Sequence, residues 1–200
     1  MIAVIDYGFG NLGSVIKALE YIGYPCRITG EPGDLLSASG VILPGVGAYG
    51  AAMEALRRTR LDTAVREYIV SGAPFLGVCL GMQLLFEKSE ESGEEVKGLG
   101  VLPGVVRRFP AQSGLKIPQI GWNNLETASD PVFRKGDYVY FVHSYYCAPE
   151  RASDIAATAC YGIEYACAVS RDNVLAMQFH PEKSGEVGLS TFNRWARRTR

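Results

Sequence analysis

The feature that most constrains this chain is a rhythm in its first half. Short apolar runs, Ile2-Ala3-Val4-Ile5, Val41-Ile42-Leu43 and Phe75-Leu76-Gly77-Val78, are separated by stretches with helical spacing. After the first run, Leu12, Val15, Ile16, Leu19 and Ile22 recur at helical intervals, with Asn11 placed to cap that helix and Gly23 to stop it. Cys26-Arg27-Ile28 reads as another short strand. Helical patterns cover about 48–57 and 61–70; in the second, Leu61, Val65, Tyr68 and Ile69 share a face. Strand and helix in alternation imply parallel strands with helices on both faces.

The second half changes pattern. Strand signals over 101–109, around Leu125, and over 138–142, 155–161, 165–169 and 174–179 follow with few helices between them. A last helix over about 185–198 turns Leu189, Phe192, Trp195 and Ala196 inward, with Ser184 as its cap and a basic, solvated end. The expected fold is α/β: a mostly parallel open sheet flanked by helices with an antiparallel extension, as one domain over residues 1–200.

Composition narrows the partners. Hydrophobic residues make up 48% and charged residues 20%, and the net charge is −1. That balance gives no electrostatic case for nucleic acid or an anionic membrane. The uncharged stretch 35–53 is broken by Pro44 and several glycines, so it is not a membrane span. The cysteines, Cys26, Cys79, Cys147, Cys160 and Cys167, are odd in number and lack CxxC spacing, and the chain opens directly on its first strand. A reducing, cytoplasmic setting with no metal or other cofactor is expected.

Gly77-Val78-Cys79-Leu80-Gly81 places a thiol between a strand and a helix expected over 80–86. Two readings are open. Cys79 is a small buried hydrophobe, as most free cysteines are, or a nucleophile raised on a strained strand-to-helix turn. In the second case the helix N-terminus favours a thiolate. The glycines at 77 and 81 let neighbouring backbone pass close to such a corner.

A nucleophilic cysteine needs a base. The two histidines are His143 and His180. In extended chain, residues i and i+2 point the same way. Glu182 therefore falls beside His180, with Pro181 fixing a torsion between them, and His143 has no acid at that spacing. His180 is favoured as base and Glu182 as the acid that orients it. Acyl chemistry also needs N–H donors for an oxyanion. Leu80 offers one, and Val46 and Gly47 in Leu43-Pro44-Gly45-Val46-Gly47 offer others, although Pro-Gly-Val-Gly is also an ordinary turn sequence.

Together, "GVCLGMQ" at 77–83 and "FHPE" at 179–182, about 100 residues apart and in that order, resemble the class I (triad) glutamine amidotransferases. "VIDYGFGNL", "LPGVGAYG", "GWNN", "YFVHSYY" and "FHPEKS" are similar in particular to the glutaminase subunits of imidazole glycerol phosphate synthases. The resemblance runs from residue 2 to about 190.

The resemblance implies a flavodoxin-like core and a specific chemistry. Cys79 would attack the side-chain amide of L-glutamine, His180 would protonate the departing ammonia, and water would release glutamate from a thioester. It places Gln83, Glu91, His143, Ser144 and Tyr145 around the bound L-glutamine, although Glu91 lies in an acidic run that by itself reads as a solvated loop. It implies a heterodimer with a (β/α)8-barrel cyclase subunit that consumes the ammonia. No phosphate-binding loop is legible here, so that partner must hold the phosphorylated substrate. Asn11, Trp122 and Lys183, near the C-terminal edge of the sheet, are expected to face it; core packing is the alternative for Trp122. The rival readings are a glutaminase subunit of another synthase (for anthranilate or pyridoxal phosphate), a catalytically silent module of the same shape, and an esterase-type hydrolase. The acid following the histidine argues against the last.

Overall fold

The computed structural model describes residues 1–111 and 115–200. Its first half runs β1 (Ile2–Ile5), α1 (Leu12–Tyr21), β2 (Cys26–Thr29), α2 (Pro32–Leu35), β3 (Gly40–Leu43), α3 (Tyr49–Arg58), α4 (Leu61–Val70), β4 (Phe75–Val78) and α5 (Leu80–Gln83). The second half runs β5 (Lys88–Ser89), β6 (Gly104–Arg108), β7 (Gln119–Asn124), β8 (Thr127–Ala128), β9 (Tyr138–His143) and β10 (Tyr145–Pro149). It ends with β11 (Ile155–Tyr161), β12 (Ile163–Arg171), β13 (Val174–Met177) and α6 (Gly185–Ala196).

The main sheet has the order β2-β1-β3-β4-β13-β12-β10-β6-β5, with β11 and β8 continuing from β12. The first five of these strands pair in parallel. From β12 onward the pairing turns antiparallel, until β5 lies parallel to β6. β7 and β9 form a separate antiparallel pair. The expected parallel core and antiparallel extension are both present.

Alternation along β1 shows why both faces are covered. Ile2 and Val4 join one apolar cluster, with Leu19, Leu76, Phe141 and Trp195. Ala3 and Ile5 join the other, with Leu43, Met53, Leu56 and Val65. Each fully buried side chain of the Leu or Phe kind contributes roughly 1.5–3 kcal/mol.

Several local expectations needed correction. The helix expected over 80–86 ends at Gln83, because a returning segment takes the next carbonyls. Leu84 O accepts Leu99 N–H at 2.8 Å, and Leu85 O accepts Val101 N–H at 2.9 Å and Leu102 N–H at 3.0 Å. The same bonds shorten the strand expected over 101–109 to β6. Leu125 lies not in a strand but in the link between β7 and β8, bonded to Asp137 and Gly136. Helix α2 and strand β5 were not expected. Asn11 and Ser184 occupy the N-cap positions of α1 and α6, but neither side chain makes a capping bond. Ser184 Oγ instead donates to His180 O at 2.6 Å and accepts Tyr140 N–H at 3.0 Å. Leu189 is only half-buried. The basic end is not simply solvated: Arg194 pairs with Asp137, Arg198 with Asp130, and Arg200 lies over the Tyr24 ring.

Candidate active site

Cys79 and His180 follow two neighbouring strands. β4 and β13 pair with Val78 opposite Met177, and the Cys79 N–H donates to Met177 O at 2.7 Å. Immediately after β4, Cys79 adopts φ 55° and ψ −112°. Such a conformation costs a non-glycine residue about 1–3 kcal/mol and persists only where the surroundings enforce it. Close packing does so here. A Cβ on Gly81 would overlap the Leu43 carbonyl, and one on Gly77 would lie 2.9 Å from the Gly81 carbonyl oxygen. The elbow expected from the two glycines is present.

Cys79 is 6% exposed and opens into a cavity of about 320 Å³. Val46, Gly47, Leu80, Gln83 and Glu91 line one part of it; His143, Ser144, Tyr145, His180 and Lys183 line the rest, with Val142. The fold thus brings together residues spread over more than half of the chain. Glu182 stands behind His180, its Oε1 2.7 Å from His180 Nδ1. These two side chains are 3% and 2% exposed. His180 Nε2 makes no hydrogen bond of normal geometry and is the ring nitrogen left for the cavity. Burial opposes a charged His180, but hydrogen bonding and charge from neighbouring Cys79 and Glu182 outweigh it and push the pKa up to about 10. His180 is therefore an imidazolium near neutral pH.

His143 is held in the opposite state. Burial draws its pKa down to about 4, the charge of His180 adds to that, and the bond to the Tyr145 carbonyl only partly offsets it. Its Nδ1–H donates to Tyr145 O at 2.8 Å, while Nε2 lies 3.3 Å from the Tyr165 hydroxyl. The Tyr165 hydroxyl gives its proton to Gln119 Oε1 at 3.0 Å, so only Nδ1 of this ring is firmly bonded. A neutral imidazole without a carboxylate behind it is poorly suited to move a substrate proton.

The expected oxyanion donors lie at the cavity, but one of them is occupied. Leu80 N–H donates to Gly45 O at 3.3 Å. Pro44 O, one residue earlier, accepts the Tyr7 hydroxyl at 3.0 Å. Burial, and then the charge of Cys79, raise the Tyr7 pKa and keep it a donor. Gly47 has φ +99°, a region glycine enters without penalty.

Glu91 corrects another expectation. It is not part of a solvated loop: its Oε2 accepts the Tyr49 N–H at 2.8 Å and so caps α3 from outside the helix. Trp122 is not packed in the core. It sits on β7, is 47% exposed, and stacks on Tyr138 at 6.0 Å and 15°. Lys183 Nζ is 6.0 Å from the centre of the Tyr140 ring, and Asn11 is exposed at the start of α1.

Gln178 escaped the sequence reading. It is fully buried, and its Nε2 donates to Cys79 Sγ at 3.6 Å. The extended-chain alternation used for Glu182 does not describe this segment: β13 ends at Met177, and Glu182 reaches His180 Nδ1 from a 3-10 turn over Pro181–Lys183. Among the described residues, no group of three or more His, Cys, Asp or Glu side chains could hold a metal ion. No helix among them is long and apolar enough to cross a membrane.

The family described as glutamine amidotransferase class-I matches residues 3–194. The chain belongs to the class-I glutamine amidotransferases. Within that family it is 50% identical over 192 residues to the imidazole glycerol phosphate synthase subunit HisH of Moorella thermoacetica, spanning 94% of this chain and 90% of that one. HisH of Desulfitobacterium hafniense (strain DSM 10664 / DCB-2) is also 50% identical, over 98% of this chain and 94% of its own. The imidazole glycerol phosphate synthase hisHF of Arabidopsis thaliana is 47% identical over 98% of this chain, which spans only 34% of that longer protein. Solved structures share the amidotransferase fold. One described as a glutamine amidotransferase has a TM-score of 0.78 at 18% identity, covering 100% of this chain and 99% of its own. PurLQS from Thermotoga maritima has a TM-score of 0.75 at 20% identity, covering 98% of this chain and 97% of its own.

Proposed function

We propose that this class-I glutamine amidotransferase is a single glutaminase domain that supplies ammonia to a (β/α)8-barrel cyclase subunit. The heterodimer makes imidazole glycerol phosphate and aminoimidazole carboxamide ribotide in histidine biosynthesis. The observation that carries the reading is the strained Cys79 facing the same cavity as the Glu182-backed His180. Close identity to HisH subunits over nearly the whole chain supports the choice of synthase. The joint name hisHF of the longer Arabidopsis relative supports the partner. Unpaired thiols suit a reducing compartment, the cytoplasm.

We infer the following steps. The Cys79 thiolate attacks the amide carbon of L-glutamine, its electron pair becoming the S–C bond while the carbonyl pair moves to oxygen. Val46 and Gly47 N–H groups receive that oxyanion, joined by the Leu80 N–H once it leaves the Gly45 carbonyl that holds it in this structure. As the C–N bond breaks, His180 Nε2–H protonates the nitrogen and ammonia leaves. His180, now neutral, takes a proton from water that attacks the thioester, and glutamate departs. Glu182 holds the ring and offsets its positive charge. Gln83, Glu91, His143, Ser144 and Tyr145 surround the amino-acid end of the substrate. Asn11, Trp122 and Lys183 face the cyclase, on a surface that also exposes Ile120 and Tyr138.

The test is the complex with Cys79→Ala. Glutamine-dependent synthesis should be lost, while added ammonium salt still supports synthesis because the acceptor site lies in the partner. Glutamine-dependent turnover that survives this substitution would sink the assignment.

A further inference from the structure

The cavity explains most of the polar residues around it, but not why a second fully buried amide is kept beneath the sulfur. Burying an amide is costly unless its hydrogen bonds are made. Gln83 and Gln178 are 5% and 0% exposed. Their bonds form one directed chain that starts from a group whose role is beyond doubt, a backbone carbonyl. Tyr145 O can only accept, and the Gln83 side-chain atom 3.3 Å from it must be Nε2. The same Nε2 lies 3.0 Å from a Gln178 side-chain atom, which must therefore be Oε1. The Gln178 amide has no freedom left. Its Nε2–H2 points at Cys79 Sγ, 3.6 Å away. The main chain is fixed as well, since the Gln178 N–H donates to Cys167 O at 2.8 Å.

We propose that Gln178 is the standing hydrogen-bond donor to the Cys79 thiolate, and that Gln83 orients it for that role. The inference rests on Cys79 being the nucleophile. It divides the work around the sulfur. His180 also neighbours the sulfur and carries on Nε2 the proton for the departing nitrogen. Gln178 keeps the anion in place from a direction that substrate never uses. An N–H···S bond is strong to an anionic sulfur and weak to the neutral sulfur of a thioester. The contact therefore favours the resting nucleophile and lets go as the S–C bond forms. Gln178 is in direct contact with the reacting atom and counts as a catalytic residue; Gln83 acts through it.

The experiment compares wild type with Gln178→Met, which keeps the length and loses the donor, and Gln178→Glu, which keeps the shape and sets a carboxylate beside the sulfur. Two rates are measured on each chain. One is alkylation of Cys79 by iodoacetamide at pH 7, read by mass spectrometry; it requires a thiolate but no oxyanion site. The other is glutamine turnover in complex with the cyclase subunit. Gln178→Met should slow both by about tenfold, the scale expected for losing one bond to a charged group, with KM for glutamine within twofold. Gln178→Glu should be slower still. Alkylation at the wild-type rate in a folded Gln178→Met chain overturns the proposal, even if turnover falls. If that variant does not fold, Gln178→Glu carries the same test. A wild-type complex that fails to turn over glutamine would instead defeat the glutaminase reading itself.

Discussion

The Leu80 N–H and the Gly45 carbonyl oxygen lie 3.3 Å apart, so the donor nearest the nucleophile is already given to another acceptor. Rotating the Gly45–Val46 peptide would free that N–H and turn the Val46 N–H toward the same place. Missing one such donor costs about 10²–10³ in turnover. The free chain should therefore be nearly idle. Binding of the proposed cyclase subunit with its phosphorylated substrate should raise kcat by that order and change KM much less. Steady-state assays with and without the partner decide; full activity of the chain alone would mean that this strand is no switch.

The two histidines should separate in both activity and pH dependence. His180→Asn should lose nearly all glutaminase activity, whereas His143→Asn should chiefly raise KM. Their signatures in stability are opposite. His143 is lowered from 6.5 to about 4, so the unfolded chain binds a proton that the folded chain refuses, and stability falls as pH drops from 6.5 toward 4. His180 is raised to about 10, so its contribution is complete below 6.5 and lost as pH rises through 10. Thermal melts across this range should show the acid slope reduced in His143→Asn and the alkaline slope reduced in His180→Asn. Unchanged slopes would count against both assignments.

Glu91 should reveal two separable roles. Glu91→Gln keeps an oxygen for the Tyr49 N–H but removes the charge facing the cavity. It should raise KM for glutamine about tenfold, the scale of one interaction with a charged group, with little change in melting temperature. Glu91→Ala also removes the cap and should cost about 1 kcal/mol more in stability. Equal effects of the two on stability would show that the cap contributes nothing.

Trp122 is exposed and stacked rather than packed inside. Trp122→Ala should weaken cyclase binding by about 2 kcal/mol, the scale of an aromatic hot spot, while the melting temperature of the free chain hardly moves. Calorimetric titration and a melting curve give the two readouts. A marked loss of stability with normal binding would return Trp122 to a packing role.

What was legible beforehand follows from the range of the forces. The glycines flanking Cys79 and the closeness of Glu182 to His180 are visible within a few residues. The elbow, however, is held by Leu43 and Met177 far along the chain, and Glu182 meets His180 across a tight 3-10 turn at 181–183 rather than along a strand. Helix α4 was read in its observed bounds because Leu61, Val65 and Tyr68 repeat at helical intervals and bury one face. Phe86 illustrates the opposite case. The stretch Leu84–Phe86 has good helix-forming side chains, yet its carbonyls are taken by residues 99–102, a partner no local pattern announces. Glu91 was misjudged for the same reason, since its partner Tyr49 lies 42 residues away. Gln178 needed a third element, α5, to give its amide a direction.

The ladder between β4 and β13 separates what can drift from what cannot. The nucleophile follows β4 directly and the base comes three residues after β13 ends at Met177, and the Cys79 N–H to Met177 O bond ties those strand ends together at 2.7 Å. Of the groups proposed to recognise glutamine or face a partner, Val46, Gly47 and Glu91 sit on connections, whereas Gln83, His143, Tyr145 and Trp122 sit on α5, β9, β10 and β7. Loops accept insertions at modest entropic cost, whereas one residue added between Met177 and His180 would turn the imidazole to the other face of the chain. The molecule is thus modular in a definite sense. The proposed trigger can be retuned through the length of the 44–48 connection, while the reach from sulfur to imidazole is inherited with the sheet.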